Sequence, residues 1–173
     1  MKGVVVRRAK AFTLVEILIV VVLLGVLAAI VVPALAGWGV QAQQATLAMN
    51  LSLLRRFIPV YTSQHGETAP GYPNGDLSAS PTEQAFVDQA TLSSNRFGQT
   101  ALPGTVGFPL GPYISKVPPN PFNRKSTVGF IAAGANFPPA ADGLYGYLYK
   151  PATGEIRPDN PEADSRGIPF YEY

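Results

Sequence analysis

Between Ile17 and Leu54 the chain carries no charged side chain, and the residue closing this stretch on its N-terminal side is a glutamate, Glu16. Its first part, Ile17 to Val40, is 24 uncharged residues. A helix of roughly 20 apolar residues crosses a bilayer core, so this length admits a membrane span. A carboxylate inside such a helix costs on the order of 2.5–3.5 kcal/mol at the centre and less near the interface. Two readings of Glu16 follow. It marks the membrane boundary and reaches back to the surface, or it awaits a cationic partner that its own chain does not supply.

The charge on either side of this run is uneven. Lys2, Arg7, Arg8 and Lys10 make the first eleven residues basic, whereas the remainder holds nine basic and eleven acidic residues. The basic pI therefore belongs to a short leader, and no basic patch points to nucleic acid. The absence of cysteine excludes disulfides, zinc–thiolate sites and thiol catalysis.

The N-terminal segment supports three readings. A basic flank, an apolar run and Ala34-Leu35-Ala36 form a secretory signal peptide pattern, with a soluble binding domain released after Ala36. The apolar run is longer than the usual 7–15-residue signal core, which favours a retained anchor with its basic flank in the cytoplasm. In the third reading the cut falls between Ala11 and Phe12, so the leader is lost and the anchor kept.

Beyond Val40 the helical signal persists. Leu47, Leu51, Leu54, Ile58 and Tyr61 follow one another at spacings of four, three, four and three, with Gln43, Gln44, Asn50, Arg55 and Arg56 elsewhere around the helix. A continuous helix from Phe12 to Ser63 would be about 78 Å long, against a bilayer core of about 30 Å. Pro33 predicts a local break, kink or hinge, with Gly25, Gly37 and Gly39 weakening the same region. Pro59 predicts a bend or an end near Ile58.

From Gly66 onward Gly and Pro supply 28 of 108 residues, but fourteen aromatics in the same stretch can anchor a loop-rich ordered domain. Ser80-Pro81-Thr82-Glu83 predicts a capped helix over about Thr82–Thr91 with Phe86 and Ala90 inward. Thr127–Ala133 reads as a strand. Leu144–Lys150 alternates, with Tyr145, Tyr147 and Tyr149 on one face, and Pro151–Gly154 turns it into Glu155-Ile156-Arg157. Pro158 predicts a tail beyond. The fold class is α+β: a long N-terminal helix, transmembrane then amphipathic, packed on a small antiparallel C-terminal sheet.

Reactive groupings are missing from the pattern. His65, the one histidine, precedes Gly66 and reads as a helix C-terminal residue whose partial charge suits the dipole. No phosphate-cradling glycine motif or paired-histidine metal motif is present. Asp159, Glu162 and Asp164, with Asn160 and Ser165 between them, read as a solvated charge cluster rather than a calcium loop. No catalytic residue, metal site or cofactor is expected.

Lys10-Ala11-Phe12-Thr13-Leu14-Val15-Glu16 followed by a long apolar helix resembles the class III signal of type IV pilins and type II secretion pseudopilins. Tyr61-Thr62-Ser63-Gln64-His65-Gly66 looks like the end of the long helix in pseudopilins similar to the major subunit. Phe86-Val87-Asp88-Gln89, Gly111-Pro112-Tyr113-Ile114 with Pro119-Asn120-Pro121-Phe122, and Thr153-Gly154-Glu155-Ile156-Arg157 are similar to that group's loop and sheet.

The resemblance implies that a prepilin peptidase cuts between Ala11 and Phe12 and methylates the new amine. Ala11 departs from the glycine usual before the cut. Glu16 of an adjoining subunit can then pair with the Phe12 amine. At about 4 Å and an effective dielectric of about 20 the attraction is roughly 4 kcal/mol, which burial reduces, so the pair fixes register while apolar packing supplies affinity. Phe12, Glu16 and Pro33 are the expected assembly residues. The implied organisation is a leader (1–11), a membrane and assembly helix (12–40) and a pilin-like extracytoplasmic domain (41–173).

The implied function is a non-enzymatic filament subunit for type II secretion in a diderm envelope. It would be single-pass in the inner membrane, with its C-terminal domain in the periplasm until it enters a filament. Implied partners are further copies, minor pseudopilins, the peptidase, an inner-membrane assembly platform and membrane lipid, with no nucleic acid. A type IV pilin for adhesion, motility or DNA uptake is the alternative. Major pseudopilins also carry a calcium-binding C-terminal loop whose pattern the tail here does not reproduce, and that site is not carried over.

Overall fold

The computed structural model describes residues 12–35, 38–164 and 166–173. The basic leader with Ala11, the alternative cut after Ala36, Gly37 and Ser165 lie outside the described residues. The chain divides into two units between Gln41 and Ala42.

Helix α1 spans Leu14–Leu35 and helix α2 spans Trp38–Gln64. Pro33 does not end α1, whose backbone stays helical for two more residues. Within α1, Leu14–Val31 is long and apolar enough to cross a membrane, and none of it is buried in the protein. An apolar helix left bare in water would be untenable, so lipid or other helices must cover it.

In the second unit, the spacing read from the sequence becomes the core. Leu47, Leu51, Leu54, Ile58 and Tyr61 are all essentially inaccessible to solvent, together with Phe57. Pro59 does not end α2, which runs on to Gln64. Proline in a helix interior costs about 3 kcal/mol; here buried Ile58 and Tyr61 flank it, and their packing outweighs that penalty. The helix stops instead before Gly66, whose φ of 61° supplies the left-handed turn common after helices.

Helix α3 (Glu83–Thr91) packs Phe86 and Ala90 inward as expected, but its cap is Thr82 rather than Ser80. The Thr82 hydroxyl accepts the Ala85 amide at 3.2 Å, placing Pro81 outside the helix. Two short strands, β1 (Ser93–Ser94) and β2 (Thr100–Ala101), pair antiparallel.

The main sheet contains β3 (Val128–Phe130), β4 (Tyr147–Lys150) and β5 (Glu155–Pro158), ordered β3-β4-β5. The α+β layout with a small sheet is as the sequence implies, with one difference in pairing. β4 and β5 form the expected antiparallel hairpin, whereas β3 pairs parallel to β4, Val128 opposite Tyr147. The connection from Phe130 to Tyr147 is long enough for the crossover that parallel strands require. β3 is shorter than expected.

Tyr145 lies outside β4 and is 39% exposed, while Tyr147 and Tyr149 are buried. Gly146 sits between Tyr145 and Tyr147, where a Cβ would come within 2.2 Å of the Lys125 carbonyl oxygen. Only glycine lets the two segments approach this closely.

Phe86 bridges helix and sheet, its ring 5.5 Å from Phe57 edge-on and 5.3 Å from Tyr149. The segment after Pro158 is no loose tail: Phe170 is buried and stacks on Phe122 at 4.3 Å. Arg55 donates to the carbonyls of Ile156 and Tyr173, fastening α2 to β5 and to the last turn.

Candidate functional site

The first turn of α1 gathers Phe12, Thr13 and Glu16. Thr13 occupies the position before the first helical residue, and its hydroxyl oxygen accepts the Glu16 amide at 3.2 Å. In return, the Thr13 amide and hydroxyl both donate to Glu16 Oε2, at 2.8 and 2.9 Å. This is a reciprocal capping box. The backbone amides that open a helix have no partner within it, and here two are satisfied by side chains.

Glu16 is therefore not a bare charge. Its carboxylate is anchored within its own chain, and negative charge near a helix N-terminus is favoured by the helix dipole. Phe12 is 78% exposed beside it, as are the apolar side chains of the following turns. Pro33 does not join this cluster; it lies about 25 Å further along the helix at 1.5 Å per residue. Thr13 was missed as a site residue, although Thr13-Leu14-Val15-Glu16 has the spacing that identifies such a cap.

The remaining candidates form no reactive grouping. His65 directly follows Gln64, the last residue of α2, at the expected helix end, and it is buried there. Its ring stacks on Tyr61 at 3.7 Å, with Nδ1 2.7 Å from the Tyr61 carbonyl oxygen and Nε2 3.0 Å from Ser94 Oγ. Burial pushes its pKa down, against the pull of the hydrogen bonds the ring makes to the Tyr61 and Asn95 backbone. A neutral ring donating from Nδ1 and accepting at Nε2 satisfies both contacts.

The acidic tail is not the solvated cluster its composition suggests. Asp159 is fully buried, and its carboxylate accepts the amides of Asp142 at 3.1 Å, Gly143 at 3.0 Å and Tyr145 at 2.8 Å. Asp164 is also buried. Burial opposes its charge, but the amides of Ile168 and Arg166, the Arg166 guanidinium and the Tyr173 hydroxyl prevail and hold its pKa at about 2. Glu162 alone of the three stays exposed. Among the described residues no group of three or more His, Cys, Asp or Glu could hold a metal ion.

With this arrangement in view, the likenesses to known proteins fall into place. The prokaryotic N-terminal methylation motif matches residues 6–32, the segment holding the capping box and most of α1. The chain is 33% identical over 116 residues to the type II secretion system core protein G of Klebsiella pneumoniae, covering 67% of this chain and 71% of that one. It is 30% identical over 118 residues to the core protein G of Aeromonas hydrophila, covering 68% and 71%. It is 34% identical over 88 residues to the type IV narrow pilus major component PilA5 of Thermus thermophilus, covering 51% and 72%. No solved structure matches the chain significantly. These likenesses extend well past the methylation motif into the second unit, and the chain belongs to the family of type IV pilins and type II secretion pseudopilins.

Proposed function

We propose that the chain is a non-enzymatic subunit of a pilus-like filament serving type II secretion. In this reading it resides in the inner membrane through α1 before assembly and holds residues 41–173 in the periplasm. A prepilin peptidase removes residues 1–11 between Ala11 and Phe12 and methylates the Phe12 amine. Further copies, minor pseudopilins and an inner-membrane platform are its partners.

The observation that carries this reading is an exposed, membrane-length helix whose lone carboxylate sits in the first turn, four residues after the proposed new N-terminus. In a single copy that carboxylate caps its own helix, and in a filament the Phe12 amine of one copy can also meet Glu16 of the next. Pro33, near the far end of α1, is the proposed site where the helix adjusts when packed. The type IV pilin reading keeps support from the likeness to the Thermus pilus component, although that match spans half of this chain against two thirds for core protein G.

Maturation and assembly are tested together. N-terminal sequencing of the membrane-extracted protein yields Phe12, methylated; a chain beginning at Gly37 refutes the reading. Glu16→Gln and Glu16→Val are cut and inserted normally but give few filaments by sedimentation and electron microscopy. Wild-type filament yield from fully processed Glu16→Val would leave apolar packing as the sole assembly force. Loss of exoprotein release on gene deletion, with surface pili and DNA uptake intact, separates the secretion subunit from a pilin.

A further inference from the structure

Major pseudopilins carry calcium in a C-terminal loop, a site not carried over to this chain, and the carboxylates of the loops here already have partners. All three amide-facing contacts of Asp159 are internal, and Asp164 is committed to Arg166, Tyr173 and two amides. The carbonyls of the preceding loop are likewise taken, by side-chain donors. Lys125 Nζ donates to the Gly143 oxygen at 2.7 Å and to the Leu144 oxygen at 3.0 Å. The next carbonyl, that of Tyr145, accepts from Asn123 Nδ2 at 2.7 Å, and the Gly146 carbonyl accepts from Asn120 Nδ2 at 3.0 Å.

Four consecutive carbonyls, Gly143 to Gly146, are thus served by Lys125, Asn123 and Asn120 of one preceding loop. Amides of the same segment are gathered by Asp159 on its other side. The loop is bonded by the positive donor of an exposed lysine and by the negative acceptor of a buried aspartate, both covalently part of the chain.

We infer that the Lys125 ammonium does, for the 142–146 loop, what a bound divalent cation would otherwise do, so that this fold needs no metal at that place. The chemistry is direct. An ammonium is a compact cation with three donors on a flexible stem, able to satisfy two carbonyl oxygens at once. Arg124 beside it adopts φ 61°, and the Lys125 amide donates to Asn123 Oδ1 at 3.0 Å, so the backbone turns sharply just where the lysine must be aimed. The inference concerns the C-terminal loops alone and stands whether the filament serves secretion or forms a pilus.

The test uses the full chain in detergent micelles, with calcium chloride and EDTA as the probes. The melting temperature of the unaltered protein stays within about 1 °C between the two. Lys125→Met, which keeps the stem and removes the charge, melts lower by roughly 3–6 °C, the shift of a modest local loss in a domain of this size. Hydrogen exchange in Lys125→Met speeds up at the Gly143 and Tyr145 amides while the amides of Leu51 and Leu54 keep their protection, which separates loop release from general unfolding. A calcium-dependent rise of more than about 3 °C in the unaltered protein overturns the inference, and so does wild-type exchange at Gly143 and Tyr145 in Lys125→Met. Should Lys125→Met not fold, the calcium and EDTA comparison on the unaltered chain decides alone.

Discussion

Replacing Asp159 by asparagine changes almost no volume and removes one charge from a fully buried position. Three backbone amides converge on the native carboxylate: Asp142 and Gly143 on Oδ1, Tyr145 on Oδ2. Asparagine keeps one oxygen, which can still serve the first two amides as a neutral acceptor. Its NH2 group would then face the Tyr145 N–H, donor against donor. A hydrogen bond to a charged group contributes about 1.5–3 kcal/mol and a neutral one about 0.5–1.5 kcal/mol. Losing one charged bond and weakening two amounts to roughly 3–5 kcal/mol, part of it returned because a buried charge is no longer desolvated.

A net loss of about 3 kcal/mol lowers the melting temperature by roughly 10 °C for a domain of this size. The control is Asp142→Asn, an exposed carboxylate whose one backbone partner is the Leu144 amide at 3.0 Å. It should cost under about 1 kcal/mol. Thermal and urea unfolding of both variants provides the comparison. If Asp159→Asn melts within about 1 kcal/mol of Asp142→Asn, the carboxylate is not holding the loop and the reasoning fails.

His65 supplies a pH dependence of known sign. Its pKa in the folded protein lies below the ordinary value of 6.5, so the unfolded chain binds the proton more readily. Its contribution to stability is therefore complete above about 6.5 and is lost as pH falls from there toward the lowered folded value. Urea midpoints should decline as pH drops from about 6.5 to 5, and His65→Gln should flatten that decline; an equal slope in both proteins refutes it. A truncation tests the role of α2: removing residues 1–40 should leave a cooperatively melting domain, whereas removing residues 1–61 strips away the buried stripe from Leu47 to Tyr61 and should abolish the transition. Equal melting of the two truncated proteins would contradict the core assignment.

What the sequence discloses and what it conceals divide along physical lines. The stripe of Leu47, Leu51, Leu54, Ile58 and Tyr61 is legible because helical burial repeats with the helical period. The β4–β5 hairpin is legible because Pro151 to Gly154 turn within a few residues. Pro59 misleads because a local penalty is weighed without the tertiary packing of Ile58 and Tyr61 that overrides it. Asp159 misleads for the opposite reason: its partners stand 14 to 17 residues earlier in the chain, and such bonds leave no periodic trace. The same separation hides Lys125, eighteen residues from Gly143. Thr13 was within reach, since its partner is three residues away, but a membrane-helix reading draws attention to hydrophobicity and away from capping.

The capping box has one further consequence, and it concerns timing. If the neighbour's amine captures Glu16 during assembly, it does not fill a vacancy; it displaces the two Thr13 donors that already occupy Oε2. The step is a ligand exchange, and its free energy is a difference between two satisfied states, smaller than either taken alone. An exchange of nearly matched bonds runs in both directions without a large barrier of desolvation. A subunit leaving the filament recovers its own cap at once, so its carboxylate need never stand unpaired in lipid during arrival or departure. On that condition, the same first turn that caps the subunit in the membrane would make its incorporation reversible.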